Sequence, residues 1–82
     1  MRAPTLQRIA NTFAQLHRQL DPTRQPGAVD MNAAHALAEV SGSLAEVRLW
    51  RPAIVHRMPL GTGFEVLDPP GGAPPILRFT RI

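Results

Sequence analysis

The N-terminal part of the chain repeats large apolar residues at helical intervals. Between residues 6 and 20 they recur three and four positions apart, at Leu6, Ile9, Phe13, Leu16 and Leu20. This spacing places them on one face of an α-helix. Pro4 suits a first helical turn, and the residue before Pro22 avoids helical angles. The pattern predicts a helix over about 5–20, whose apolar face can pack on a sheet or on the same helix of a second copy.

A Pro-Gly pair at residues 26–27 indicates a turn, and a short second helix is predicted after it. This helix covers about 31–41, with Asp30 or Asn32 as its N-terminal cap and Gly42 as its left-handed end. Its apolar side is mostly alanine. Small side chains allow close approach to a neighbour but remove little surface from water.

From Ser43 onwards apolar and polar residues alternate with a period of two, which is typical of strands. Pro52 interrupts the pattern, and because proline cannot donate to a ladder, we expect it at an edge or bend. The predicted strands are residues 45–50, 53–58, 64–68 and 76–82, with turns at 60–63 and 69–75. The predicted order is ααββββ. It describes one α+β domain, residues 1–82, with two N-terminal helices packed on one face of a small antiparallel β-sheet.

The size of the chain favours a homodimer. A core built from 82 residues supplies only about 3–5 kcal/mol, so small domains often need a disulfide, a metal or a second subunit. The chain has no cysteine, which excludes disulfides and zinc–thiolate sites. Its three histidines, at positions 17, 35 and 56, are too far apart for a local ligand pair. We therefore expect no metal and no cofactor, and we expect a second copy of the chain to stabilise the small core.

All nine basic residues are arginines, against six acidic residues, for a net charge of +3. A GC-rich genome produces this bias without selection. Alternatively, arginine is selected because it binds carboxylate and phosphate with two parallel hydrogen bonds. The composition leaves both explanations open.

Three arginines and no acid occur in the first 20 residues, a composition shared with mitochondrial transit peptides. We interpret this segment as an integral helix, since its removal would take away a large share of a small core. No stretch approaches 18 apolar residues, so no membrane span is predicted. We expect a cytoplasmic protein.

A candidate partner-binding patch follows from the predicted strand alternation. Val47, Leu49 and Val55 face the core in this pattern. The outer face then holds Arg48, Trp50, His56 and Arg78. Tryptophan and arginine dominate the energetics of protein–protein contacts. The alternative is that Trp50 is a core residue and the arginines only solvate the sheet.

Nucleic-acid binding is a second hypothesis, and its candidate residues are the arginines Arg8, Arg18, Arg51 and Arg57. Sheet-based RNA-binding proteins stack bases on two or three aromatic residues. This chain has three Phe and one Trp, and the core needs at least two of them. The hypothesis therefore ranks below protein binding.

No catalytic arrangement of residues is evident, so we expect a non-enzymatic protein that acts by stoichiometric contact with a larger protein. Regulators, adaptors and phage-type inhibitors act in this way. In size and element order the chain is similar to the ribonuclease toxins of bacterial toxin–antitoxin pairs. That resemblance implies RNA cleavage as a further alternative, with no residues assigned to it.

Overall fold

The computed structural model describes residues 4–20 and 27–82. Within them the elements are, in chain order, α1 (Leu6–Leu20), β1 (Gly27–Asn32), α2 (Ala33–Ala38), α3 (Leu44–Arg57), β2 (Thr62–Leu67), a 3-10 turn (Pro70–Gly72) and β3 (Ile76–Arg81). The α+β class is confirmed, but the order ααββββ is wrong. The predicted helix end before Pro22, and Pro26 of the predicted turn, lie outside the described residues.

Helix α1 forms as predicted and packs its apolar face onto the sheet. The ring of Phe13 meets Phe64 and Phe79 edge-on, with ring centroids 5.1 and 5.7 Å apart. Edge-to-face contacts of this kind are favoured by the charge distribution of aromatic rings. All three rings are buried, and with Ile54 and Leu77 they form the centre of the core.

The sheet has the strand order β1-β3-β2, and both pairs are antiparallel. In β3, Leu77 and Phe79 are buried and Arg78 is exposed, which confirms the predicted alternation of this strand. The face carrying Leu77 and Phe79 packs on the helices. We call the opposite face, with Arg78, the outer face.

Residues 27–32 form strand β1 instead of the predicted loop and helix start. Their own alternation explains this, because Val29 and Met31 pack against the core while Asp30 lies on the outer face opposite Arg78. Of the two predicted caps, Asn32 is the one that serves. Its side chain accepts a hydrogen bond from the His35 N–H at 3.2 Å.

Helix α2 is shorter than predicted and ends differently. The left-handed position after it is Ser41, with φ of 52°, and not Gly42. A β-carbon on Gly42 would already touch Val40 Cγ2 at 3.4 Å. That distance is an ordinary van der Waals contact, so the backbone strain at this helix end lies at Ser41.

The two predicted strands 45–50 and 53–58 are one helix, α3. The Ser43 hydroxyl accepts from the Glu46 N–H at 3.2 Å and donates to the Glu46 carboxylate at 2.9 Å. Serine followed by glutamate three residues later is a helix-start signature. The strand prediction overlooked it, and the helix begins at this cap.

The sequence of α3 also contains apolar residues at helical spacing, in addition to the alternation with a period of two. Val47, Ile54 and Met58 are buried, with Leu44 packed beside them, at intervals of three, seven and four. Leu49, predicted to face the core, is 70% exposed. Pro52 lies within the helix on its exposed side, where water can satisfy the carbonyl that loses its intrahelical partner.

Helix α3 packs on α1 and along β2. A β-carbon on Gly63 of β2 would lie 3.4 Å from Val55 Cγ1. Helix α3 therefore lies within van der Waals reach of this edge strand at Gly63.

Candidate functional site

The four residues of the predicted partner-binding patch do not share a sheet face. Arg48, Trp50 and His56 lie on α3, and Arg78 lies on the outer face of β3. Because an α-helix turns by about 100° per residue, Arg48 and Trp50 project from opposite flanks of α3. His56 is exposed on the side between them. The strand alternation that grouped these residues does not exist here.

Trp50 lies on the flank of α3 that faces the start of α1. Its side chain borders a groove of about 310 Å³ lined by Pro4, Thr5, Leu6, Ile9, Glu46 and Trp50. Trp50 is 49% exposed, so it is neither a core residue nor a free surface side chain. The lining is mainly apolar, and it includes Ile9 of the core and Leu6, which packs on the core.

Arg48 points the other way, towards the end of β2. Its Nη2 lies 2.8 Å from Asp68 Oδ1 and 2.9 Å from Oδ2. Both side chains are largely exposed, and exposed ion pairs contribute about 0–1 kcal/mol. This contact orients Arg48 along the outer flank of the domain, away from Trp50.

Arg78 forms a two-pronged ion pair with Asp30 on the neighbouring strand. Its Nε lies 2.8 Å from Asp30 Oδ1 and its Nη2 lies 3.1 Å from Oδ2. The hydrogen bond from Arg78 is the main cause that lowers the pKa of the Asp30 carboxyl. In return, the hydrogen bond to Asp30 raises the pKa of the Arg78 guanidinium.

The structure does bring Arg48 close to the outer face. Arg48 and Arg51 line one cleft with Glu65 and Val66, and Glu65 lies opposite Arg78 in the β2–β3 register. The resulting strip contains three acidic and three basic residues side by side: Asp30, Arg78, Glu65, Arg51, Arg48 and Asp68. Such a strip is well solvated and lacks the single sign of charge that attracts phosphate.

The remaining arginines of the nucleic-acid hypothesis are dispersed. Arg8 and Arg18 are exposed on α1, about 15 Å apart along the helix axis. Arg57 Nη1 donates to the Ala53 carbonyl of its own helix at 3.0 Å. The structure places Arg51 beside Glu65. These four residues therefore do not form one basic surface.

Two further features lie near the C-terminal end of α1. His17 is buried, with its ring stacked on Phe79 at a centroid distance of 6.0 Å. Next to it, Arg18 and Arg81 line a cleft of about 270 Å³ with Leu60 and Thr62. The apolar stripe of α1 contains His17, but no sequence signal joins Arg18 to Arg81, because the packing of α1 against the sheet brings them together.

Residues 4–20 and 27–82 contain no group of three side chains suited to hold a metal ion. In the same residues, no helix is long and apolar enough to cross a membrane.

The chain matches no protein-family model, no curated protein and no solved structure. The similarity to small ribonuclease toxins rested on the order ααββββ, which is not the order found. The candidate site therefore depends on geometry alone.

Proposed function

We propose that this chain is a small, non-enzymatic binding protein that acts by stoichiometric contact with a larger protein in the cytoplasm. We place the contact at the groove between Trp50 and the start of α1. The half-exposed state of Trp50 supports this proposal most directly. It is the only tryptophan of the chain, and it borders an apolar groove.

The size of the exposed indole surface makes the proposal energetically reasonable. An aromatic side chain removes about 150–250 Å² from water when it is buried. Covering the exposed half of Trp50 therefore removes roughly 100 Å², worth about 2.5 kcal/mol at 25 cal/mol/Å². This is the size of a typical interface hot spot, about 2 kcal/mol or more.

The groove also indicates what kind of partner it accepts. Leu6, Ile9 and Pro4 favour an apolar side chain, and Glu46 lies at the same groove. The Glu46 carboxylate accepts a hydrogen bond from the Ser43 hydroxyl and forms no ion pair with a described arginine. We propose that the partner inserts an apolar side chain flanked by a lysine or arginine.

The test compares three forms of the protein as bait in an extract of the native host. Trp50→Ala should lose the partner, while Arg48→Ala, on the opposite flank of α3, should retain it. The captured protein is then purified and titrated calorimetrically against each form. A Kd about 30-fold weaker for Trp50→Ala corresponds to 2 kcal/mol.

Equal affinity of Trp50→Ala and the unchanged protein would refute the proposed contact. Loss of affinity in Arg48→Ala alone would move the site to the outer flank. If instead the captured species is RNA or DNA and the affinity falls steeply with salt, the result would support the nucleic-acid hypothesis and contradict protein binding.

We propose in addition that the chain acts as a homodimer. The large fully buried side chains of the described residues are seven: Phe13, Phe64, Phe79, Ile54, Leu77, Val40 and Val47. A core of this size leaves little reserve of stability, which a second copy would supply.

A further inference from the structure

The two edges of the sheet differ in how they are covered. Strand β2 lies under α3, where Val55 approaches Gly63 and Arg51 lies beside Glu65. Strand β1 packs mainly on β3 and on α2, the helix that follows it. Ala28 and Asp30 of β1 are exposed. An uncovered edge strand is a template for pairing with another chain.

The hydrogen-bond phase of β1 can be worked out from one bond. The Ala33 N–H donates to the Pro75 carbonyl at 3.0 Å, one step beyond the last register pair. Hydrogen-bonded pairs alternate in an antiparallel ladder. Val29 and Met31 therefore exchange bonds with β3, and Ala28 and Asp30 point their N–H and C=O groups away from the sheet.

We propose that β1 pairs antiparallel with β1 of a second copy, with Val29 opposite its counterpart on the two-fold axis. This proposal rests on the homodimer proposed above and names its interface. In this register Ala28 lies opposite Asp30 of the second copy. The outward N–H and C=O groups of Ala28 and Asp30 all pair, which gives four intermolecular hydrogen bonds and one continuous six-stranded sheet.

The competing register with Asp30 opposite Asp30 is disfavoured, because like charges directly opposite each other destabilise a sheet. That register would also require the backbone of Asn32 to pair with the second copy, although Asn32 is the N-cap of α2. In the proposed register the half-buried Val29 meets its counterpart at the rim of the core. Apolar contact is thus added where each monomer leaves a side chain partly exposed.

A second copy can pair with this edge because the one charged side chain of β1 is already held in an ion pair. Charged side chains commonly protect edge strands from pairing. On β1 the single charged residue is Asp30, and its carboxylate is already held by Arg78 at 2.8 Å. An antiparallel edge that pairs with itself also matches donors and acceptors through the two-fold axis.

A cysteine cross-link tests the register, since the chain has no cysteine of its own. Opposite residues in a non-hydrogen-bonded pair have Cα atoms about 4.5 Å apart, within the range of a disulfide. Val29→Cys should therefore form a disulfide-linked dimer under mild oxidation. Ala28→Cys is the matched control, because its Cα would lie about 8 Å from its counterpart, beyond disulfide reach.

Sedimentation equilibrium of the unchanged protein separates the two levels of the proposal. A species that remains at 9.0 kDa at high concentration overturns both the homodimer and this interface. A dimer in which Val29→Cys does not cross-link overturns the interface alone. Equal cross-linking of both cysteine variants overturns the register.

A charge pair provides a second test in case Val29→Cys does not fold. Ala28→Glu places a carboxylate opposite Asp30 of the second copy, and Ala28→Lys places a cation there. With two such sites per dimer, Ala28→Glu should weaken dimerisation about fivefold and Ala28→Lys should strengthen it by a similar factor. Ala45→Glu, exposed on α3, should change nothing. Equal dimerisation of both Ala28 variants would refute the contact, as would binding of extended peptides in preference to a second copy.

Discussion

Arg78 and Asp30 are direct cross-strand partners, and their side chains join the middle strand of the sheet to edge strand β1. The pair lies on the outer face, where each side chain remains partly exposed. Its contribution to stability is correspondingly limited. Its dependence on pH has a definite sign, which can be measured.

The first prediction concerns this pH dependence. Because Arg78 lowers the pKa of Asp30 in the folded protein from its ordinary 3.8, the pair stabilises the fold at pH values above 3.8. That stabilisation is lost as the pH falls through the lowered folded value. Asp30→Asn should therefore be less stable than the unchanged protein at pH 7, and this difference should shrink below pH 3.8. Urea unfolding at both pH values gives the comparison, and a difference that grows in acid would contradict the sign.

The second prediction concerns the aromatic core. Phe13 is fully buried and touches two other rings, so Phe13→Ala should lower the free energy of unfolding by about 3–5 kcal/mol. Arg8 is exposed on the same helix, and Arg8→Ala should change stability by less than roughly 0.5 kcal/mol. Thermal or urea unfolding of both variants is the measurement. Similar melting would show that the buried face of α1 is assigned wrongly.

The third prediction concerns the start of α3. Ser43→Ala removes the cap and should cost about 1 kcal/mol, whereas Ser43→Asp should retain most of the stability. Both variants are compared by urea unfolding, with helical circular dichroism as a check that α3 persists. Equal stability of the two variants would mean that the Ser43–Glu46 contacts contribute little.

The fourth prediction concerns the environment of Trp50 in the protein without a partner. Half exposure predicts fluorescence that a soluble quencher reduces, with emission between that of a buried and a free tryptophan. Trp50→Ala should lower the free energy of unfolding by clearly less than the roughly 3–5 kcal/mol expected for a fully buried aromatic residue. A blue-shifted, quencher-protected signal in a dilute monomeric sample would refute the exposed groove.

The sequence patterns correctly predicted the elements that bury one face only, namely α1 and β3. The stripe of α1 and the alternation of β3 are each set by one layer of core contacts, so their periods are clean. Helix α3 contacts α1 on one flank and β2 on the other. Its apolar residues are therefore spread around the helix. Together with Arg48 and Trp50, which lie between them in sequence, they produce an apparent alternation with a period of two.

Strand β1 was missed because its pairing is not local. Residues 27–32 contain one Gly, one Asp and one Asn, which favour turns or caps, and pairing with β3 holds them in a strand. The same reason limits the prediction of the site. Trp50 was selected as a candidate by its residue type alone, and its groove with Leu6 and Ile9 depends on the packing of α3 against α1.

The central place of β3 in the sheet has a consequence during synthesis. Strands β1 and β2 each pair with β3, which the ribosome makes after both of them. Roughly 40 residues separate the end of β1 from β3, or about 2–8 s of translation at 5–20 residues per second. During that interval β1 lacks the strand with which it pairs, and Phe13 lacks the Phe79 ring against which it packs. The sheet thus closes only after residues 76–81 have emerged, and a nascent chain stalled before Ile76 should remain sensitive to protease over α1 and β1.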